Sequence, residues 1–421
     1  MDGHKVDSMR NKNFNLLLSG QLVSQTGDRF YMLALSFMVL ETTGSAAKMG
    51  VVLFAGMLPL VAAGLFSGVV VDRADRKAII IVTDILRGVI VSVVSLLYAQ
   101  GALTFGLILV AQVLLGLNSA FFNPTIPSVI PMIVPKDDLS KANAKTQFVS
   151  GFANIAGPAL GGILVSFYGY FVVFALNAVS YFASAFFECF LKIPSVKTED
   201  HESFVSAFKE GYRTICADRK LLIILFMVFV IHFFVGSIEV AIPVIADHLP
   251  GSGPANMGYI QTAFGAGAVM MALVLSFYSI RGREAFMLFA AVTVIGMLLT
   301  LIGLSGLSAA DLILYLVLFL LVSASIILAA TSFQSLIQAD TAPEMTGRVF
   351  GVVSSVGNFS IPFAMLVYGF LLEYGNSHLL LSLSGLMIIL VTVLSSWFYR
   401  RGAVAIAGCA RGHGKNMATR F

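Results

Sequence analysis

The chain is a succession of apolar runs, each about as long as a bilayer is thick, separated by short clusters of charge. A helix needs about 20 apolar residues to cross the hydrocarbon layer, and such runs recur from Phe14 to Tyr399. Inside lipid a backbone must satisfy its own N–H and C=O groups, which leaves helices and closed barrels. No period-two alternation of polar and apolar residues is present, which sets the barrel aside. With 58% hydrophobic and 11% charged residues among 421, the chain lies far from water-soluble domains, where roughly 25% of residues are charged. An all-α membrane protein is expected.

Twelve spans are expected, over residues 14–40, 47–71, 78–98, 103–133, 143–166, 170–191, 220–246, 257–279, 285–305, 310–336, 347–372 and 378–399. The first is too long for a signal core and lacks a small-residue cleavage site, so no removable leader is expected. Lys and Arg concentrate on the cytoplasmic side of a membrane. With both termini in the cytoplasm, only Lys48 of the 26 Lys and Arg falls outside, and only Arg29 and Arg87 lie within spans. The net charge of +4 is therefore a topology signal and no sign of nucleic-acid binding. Cys189, Cys216 and Cys409 all fall on the reducing side, where no disulfide framework is expected. No Cys/His cluster has metal-ligand spacing. The expected location is the cell inner membrane, multi-pass.

The longest internal polar stretch, Lys192–Lys220, divides two sets of six spans. Four regions are expected: a six-helix bundle over 1–191, a cytoplasmic loop over 192–219, a second bundle over 220–399, and a cytoplasmic tail over 400–421. The halves echo each other. Ala47-Lys48-Met49-Gly50 opens span two and Ala255-Asn256-Met257-Gly258 opens span eight; Gly157-Pro158 in span five is matched by Ile361-Pro362 in span eleven. In the loop, Phe204, Phe208, Tyr212 and Ile215 recur at helical spacing among Lys209, Arg213, Arg219 and Lys220. That pattern predicts an amphipathic helix on the inner leaflet.

The loop after span two reads Gly68-Val69-Val70-Val71-Asp72-Arg73-Ala74-Asp75-Arg76-Lys77. It resembles the signature loop of the major facilitator superfamily, departing at Asp75, where that signature usually has Gly. Gly68 permits close helix approach, and Asp72 can sit at a neighbouring helix N-terminus. Span five carries Gly157-Pro158-Ala159-Leu160-Gly161-Gly162, which resembles the Gly-Pro-x-x-Gly-Gly motif of superfamily exporters and predicts a bend with close packing. Thr43-Gly44-Ser45-Ala46, Phe121-Phe122-Asn123-Pro124, Leu139-Ser140-Lys141-Ala142-Asn143-Ala144, Glu210-Gly211-Tyr212-Arg213 and Gly347-Arg348-Val349 narrow the likeness. Together they look like the macrolide-efflux and enterobactin-exporter branch. The resemblance implies two pseudo-symmetric six-helix bundles, a midplane substrate site between them, and a cytoplasmic latch of Gly68, Asp72, Arg73, Arg76 and Lys77 meeting span eleven at Arg348. Proton antiporters of the superfamily often carry an Arg in span four, four residues before Gly. Here that place holds Gln112, before Gly116.

A charge at the bilayer centre costs at least about 2.5–3.5 kcal/mol, so it usually marks a pathway or is paired. In span one, Gln21, Ser24, Gln25, Asp28 and Tyr31 share one helical sector. Asp28 and its neighbour Arg29 are candidates for substrate or proton binding, or for a structural charge pair. His232 and Glu239 lie on one face of span seven and are further candidates. Asn123, Gln334 and Asn358 are candidate cavity donors, with Asn118 and Asn154 beside them. Asp84 and Arg87, at i,i+3, read as a structural pair.

The expected function is secondary active, proton-driven efflux of an amphipathic small molecule, drug-, macrolide- or siderophore-like, by alternating access, with antibiotic resistance as its consequence. The alternative is a lipid or lysolipid translocase of the same fold. No catalytic set such as His-Glu-x-x-His is present, so no enzyme is expected. The tail from Gly408 to Lys415 lacks phosphate-loop spacing and has Asn416 where Ser or Thr is required. No cofactor is expected; the partners are the substrate, protons and lipid, with the chain acting as a monomer.

Overall fold

Runs of Leu, Ile, Val, Phe and Ala with no water to bond favour helices that close every backbone bond within the segment. In the computed structural model, which describes residues 2–193, 204–305 and 311–417, every regular element is a helix. They are α1 (Asp2–Thr43), α2 (Ala46–Arg73), α3 (Arg76–Ala99), α4 (Phe105–Ile133), a 3₁₀ turn (Lys136–Asp138) and α5 (Leu139–Cys189). After these come α6 (Phe204–Ala217), α7 (Arg219–His248), α8 (Gly253–Phe277), α9 (Glu284–Ser305), α10 (Leu312–Asp340), α11 (Pro343–Tyr374) and α12 (Ser377–Met417). Polar caps set their starts: Ser45 Oγ accepts from the Lys48 amide at 3.1 Å, and Asp218 from that of Lys220 at 2.7 Å. Asp75 caps α3, accepting from the Lys77 amide at 2.9 Å. The residue that departs from the signature loop thus starts the next helix.

Among the described residues, ten helical segments are long and apolar enough to cross a membrane. One of them, Lys136–Cys189, has 54 residues, about 80 Å of helix at ~1.5 Å per residue, against about 30 Å of hydrocarbon. It breaks at Gly169 (φ 75°, ψ 177°), a conformation that a Cβ disfavours. The limb before the break runs parallel to α1: Ser150 Oγ donates to Gln25, Gly157 packs on Arg29 and Gly161 on Phe30. The limb after it runs antiparallel: Phe174 stacks edge-on to Tyr31 at 5.3 Å, Ser180 packs on Gly27 and Ser184 on Gly20. The chain therefore reverses at Gly169. α1 falls outside the ten segments because its polar stripe lowers its apolarity.

α1 to α5 pack on one another, and α7 to α12 do the same; α2 with α11 and α5 with α8 supply most of the contact between these groups. The sequence echo marks both crossings. A Cβ on Gly50 of α2 would lie 2.5 Å from Met365 O and 2.8 Å from Gly369 Cα on α11. One on Gly258 of α8 would lie 2.7 Å from Pro158 O and 3.1 Å from Gly162 Cα on α5. Each Ala-x-Met-Gly therefore brings a glycine to the place where its helix touches the other group. Apolar side chains such as Phe148, Phe167 and Phe277 point outward around the rim, as lipid-facing positions do.

α6 is amphipathic, with Ile215 fully buried and Tyr212 half exposed. It packs on α11 and α7: a Cβ on Gly211 would lie 2.6 Å from Arg348 O, and Glu210 pairs with Arg348. Ile215 is thus covered by protein, while Tyr212 of the same apolar set stays half exposed. The Asp72 side chain and those from Arg400 onward lie outside the described residues, as do residues 194–203.

Candidate functional site

A cavity of about 430 Å³ lies among α7 to α11. Its walls are mostly apolar, with Ile231, Phe264, Ile295 and Phe333 among them, and its polar groups are His232, Glu239, Gln334, Ser354 and Asn358. Four of these, His232, Glu239, Gln334 and Asn358, are candidates from the sequence, contributed by three helices. Glu239 is accessible to solvent, although protein surrounds it on every side. The two statements agree for a side chain on a cavity wall, where the accessible face opens inward. His232 Nδ1 lies 2.8 Å from Val228 O. A carbonyl only accepts, so Nδ1 carries the hydrogen and Nε2 of the neutral ring is left as an acceptor. Such walls, with a carboxylate, an imidazole and two amides, suit an apolar body bearing an amine or other donors.

The span-one candidates divide. Arg29 is exposed, packs on Gly157 and acts electrostatically on Glu239 across the gap between the two helix groups. Gln25 is held by Ser150 at 3.0 Å. Tyr31 is 3% exposed, accepts from Gln112 Nε2 at 3.3 Å, and so belongs to the interior of the first group, away from the cavity wall. Asp28 accepts from the Tyr181 hydroxyl and lies under the influence of Arg87. Asn123 is exposed on α4 and is not among the residues lining the cavity.

Arg87 is the centre of this second polar region. It is 3% exposed, lies 3.4 Å from Asp84, donates to Ser119 Oγ at 3.1 Å and stacks on Phe122 at 4.2 Å. The expected Asp84–Arg87 pair is present, and the same guanidinium also serves Asp28. The cation thus comes from α3, while α4 supplies Gln112. Sequence reasoning missed two members, Tyr181 and Glu188. For Glu188 the signal was available: a carboxylate inside the apolar run 170–191.

The two ends of the helix groups differ. At one end Glu373 of α11 accepts from Ser45 Oγ at 2.8 Å and from the Ala47 amide at 3.0 Å, while Ser166 and Ser252 hydroxyls meet at 2.6 Å. Gly162 packs there against Pro254 and Gly258, so the Gly157–Gly162 motif serves as a two-sided packing surface around Pro158, with Gly157 and Gly161 on α1. At the other end, among the described residues, nothing lies within 4 Å of a Cβ placed on Gly64, Gly68, Gly347 or Gly351. The expected latch residues are spread out here: Arg73 is exposed, Arg76 reaches Met132 Sδ at 3.4 Å, Lys77 donates to Cys189 O at 2.8 Å, and Arg348 holds Glu210. Among the described residues no group of three or more His, Cys, Asp or Glu could hold a metal ion.

A profile of the family described as transmembrane secretion effector matches residues 5–410. Macrolide efflux protein A of Streptococcus pyogenes is 24% identical over 386 residues, spanning 90% of this chain and 94% of that protein. Multidrug efflux pump Tap of Mycobacterium bovis is 26% identical over 388 residues, spanning 88% and 90%. A crystal structure of the nucleoside transporter NupG superposes with a TM-score of 0.75 at 11% identity, covering 93% of this chain and 99% of that one. At that identity the likeness concerns the fold alone.

Proposed function

The chain belongs to the transmembrane secretion effector family of the major facilitator superfamily, and from that membership we propose that it exports an amphipathic small molecule by alternating access, driven by protons. Transport of small molecules by a multi-pass membrane protein is the common ground of the family and its relatives. On our reading twelve helices cross the membrane. Ten segments meet the requirement directly, α1 joins them, and the fold-back at Gly169 divides one of them in two. They form a bundle within 1–191 and another within 220–399, joined by the 192–219 loop and followed by the 400–421 tail.

The positive-inside rule puts the end bearing Arg73, Lys77 and Arg348 in the cytoplasm, with both termini, and the membrane is then the inner one. The closed end at Ser45 and Glu373 is external, and the arrangement is inward-facing. Proximity of the Arg29 charge to the Glu239 wall supports a substrate path between the bundles.

The observation that carries the proposal is the cavity among α7 to α11, apolar on most sides and bearing Glu239, His232, Gln334 and Asn358. Its volume falls within the ~300–1,000 Å³ usual for small-molecule sites. We read the substrate as a lipophilic amine or cation: the macrolide and multidrug names of the relatives suggest drug size, and the Glu239 carboxylate on the wall suggests positive charge. The test is accumulation of a radiolabelled macrolide and of ethidium in cells with and without the gene, repeated with a protonophore. Lower accumulation with the gene, abolished by the protonophore, is expected. Equal accumulation of both probes counts against export of this class, and export insensitive to the protonophore counts against proton drive.

A further inference from the structure

Three carboxyl side chains are gathered inside the first helix group: Asp28 on α1, Asp84 on α3 and Glu188 on the second limb of α5. Asp84 and Glu188 are 0% exposed. The Ser184 hydroxyl donates to Glu188 Oε1 at 3.3 Å and lies against the Asp84 carboxyl. One hydroxyl has one hydrogen, so it serves only one of the two carboxyls at a time. Asp84 Oδ2 and Glu188 Oε2 have no hydrogen-bond partner among the described residues, and neither do Arg87 Nε, Gln21 Nε2, Asn118 Oδ1 or Asn177 Nδ2 in the same helix group.

The charges do not balance. Arg87 of α3 faces these groups, shared between Asp84, at 3.4 Å, and Asp28, and Arg29 of α1 also acts on Asp28, so three carboxyls face two cations. α4 offers Ser119 to it, and Lys77 of α3 is tied to Cys189 O at the rim. An ionised carboxylate buried without a partner costs several kcal/mol, and such a group instead takes up a proton.

We infer that Asp84 and Glu188, joined through Ser184, form a buried proton-binding site in the first helix group, separate from the cavity that takes the substrate. A proton suits the site better than a metal cation. It forms an O–H bond on one carboxyl, removes that group's charge and supplies the donor that the two orphaned oxygens lack. A metal ion would keep its charge beside Arg87. The proton comes from water and returns to water; no other bond changes. Asp28, half-buried and bonded to Tyr181, is the member of the cluster nearest solvent.

The inference deepens the proton-driven reading, but its decisive test does not use transport. Infrared difference spectra of the purified full-length protein in lipid, stepped through neutral pH, report a protonated carboxyl by its C=O stretch. Wild type is expected to hold such a band at neutral pH, and Glu188→Gln to remove it. Ser184→Ala, which keeps both carboxyls, should shift the band. A band that survives both substitutions overturns the site, as does one that added sodium displaces. Should Glu188→Gln fail to fold, Ser184→Ala alone decides. In proteoliposomes under an imposed pH gradient, Glu188→Gln should slow ethidium movement at least tenfold. If the infrared bands behave as stated and wild type moves no ethidium under any gradient, the exporter reading fails and the proton site stands.

Discussion

Glu373, the penultimate residue of α11, accepts a hydrogen bond at 3.0 Å from the amide of Ala47, in the first turn of α2. It also accepts from Ser45, the N-cap of that helix. A carboxylate on a helix N-terminus is favoured by the orphan amides and the helix dipole. α2 and α11 run in opposite directions, so the same relation is available at their other end. There Asp72 is the penultimate residue of α2, and α11 begins at Pro343. By its place in the sequence Asp72 offers the reciprocal of Glu373, and we propose that it engages the start of α11 in the opposite state.

Glu373→Gln should loosen the closure at its end. The lost interaction is of order 1–2 kcal/mol, a factor of 5–30 in an equilibrium. The measurement is labelling of Ala46→Cys, in a background without the native cysteines, by a membrane-impermeant maleimide. With Glu373 present the cysteine should label slowly, because Ala46 is only 6% exposed at this end, and with Glu373→Gln about 5–30 times faster. Equal rates would show that Glu373 does not hold this end shut.

At the opposite end we propose Arg348 as the latch residue. Here it pairs with Glu210 of α6, a half-exposed partner; in the cytoplasm-closed state Asp72 should take that place. Exposed pairs contribute only about 0.2–1 kcal/mol, so Glu210→Gln should favour the closed state by no more than about fivefold. Asp72→Asn should act in the reverse direction and slow transport, while leaving substrate affinity of a locked state unchanged. Spin labels at Ala74 and Gly351 would report both shifts, and shifts of the same sign would refute the exchange of partners.

Much of this was legible in the sequence because the signals were one-dimensional. Apolar run length located the helices, and charge clusters separated them. The Ala-x-Met-Gly echo fell on the two crossings because glycine is the residue that lets backbones touch. His232, Glu239, Gln334 and Asn358 could be named because a polar side chain inside a span needs a reason. What sequence could not supply was direction around the helix in three dimensions. Tyr31 shares its sector with Asp28, yet it turns to Gln112 because the second limb of α5 covers that side of α1 with Phe174. Arg87 read as the local partner of Asp84, whereas its link to Asp28 depends on how α1, α3 and α5 meet.

The crossing glycines give a steric test. A Cβ on Gly50 would sit 2.5 Å from Met365 O and one on Gly258 2.7 Å from Pro158 O, both backbone atoms that cannot step aside alone. Gly50→Val and Gly258→Val should therefore hold the helix groups apart at the Glu373 end. Both variants should label quickly at Ala46→Cys, which is buried at this end, and transport should fall by an order of magnitude or more. Normal turnover in either would mean that this contact is dispensable to the cycle.

Glu239 should discriminate among substrates by charge. It stands accessible on the cavity wall with Arg29 acting on it from the other helix group. A bound cation would meet the carboxylate in a site poor in water, where a charge-assisted contact contributes about 1.5–3 kcal/mol. Glu239→Gln keeps the shape and removes the charge. It should weaken binding of ethidium or an amine-bearing macrolide about 10–150-fold, while a neutral analogue of similar shape changes little. Arg29→Gln should do the opposite for cations, because it removes the positive charge that competes for Glu239. Binding to purified protein in detergent, measured by tryptophan-independent ethidium fluorescence and by equilibrium dialysis of the neutral analogue, separates the two effects. A Glu239→Gln variant that loses both ligands equally would indicate a structural role for the carboxylate, and one that loses neither would remove it from the site.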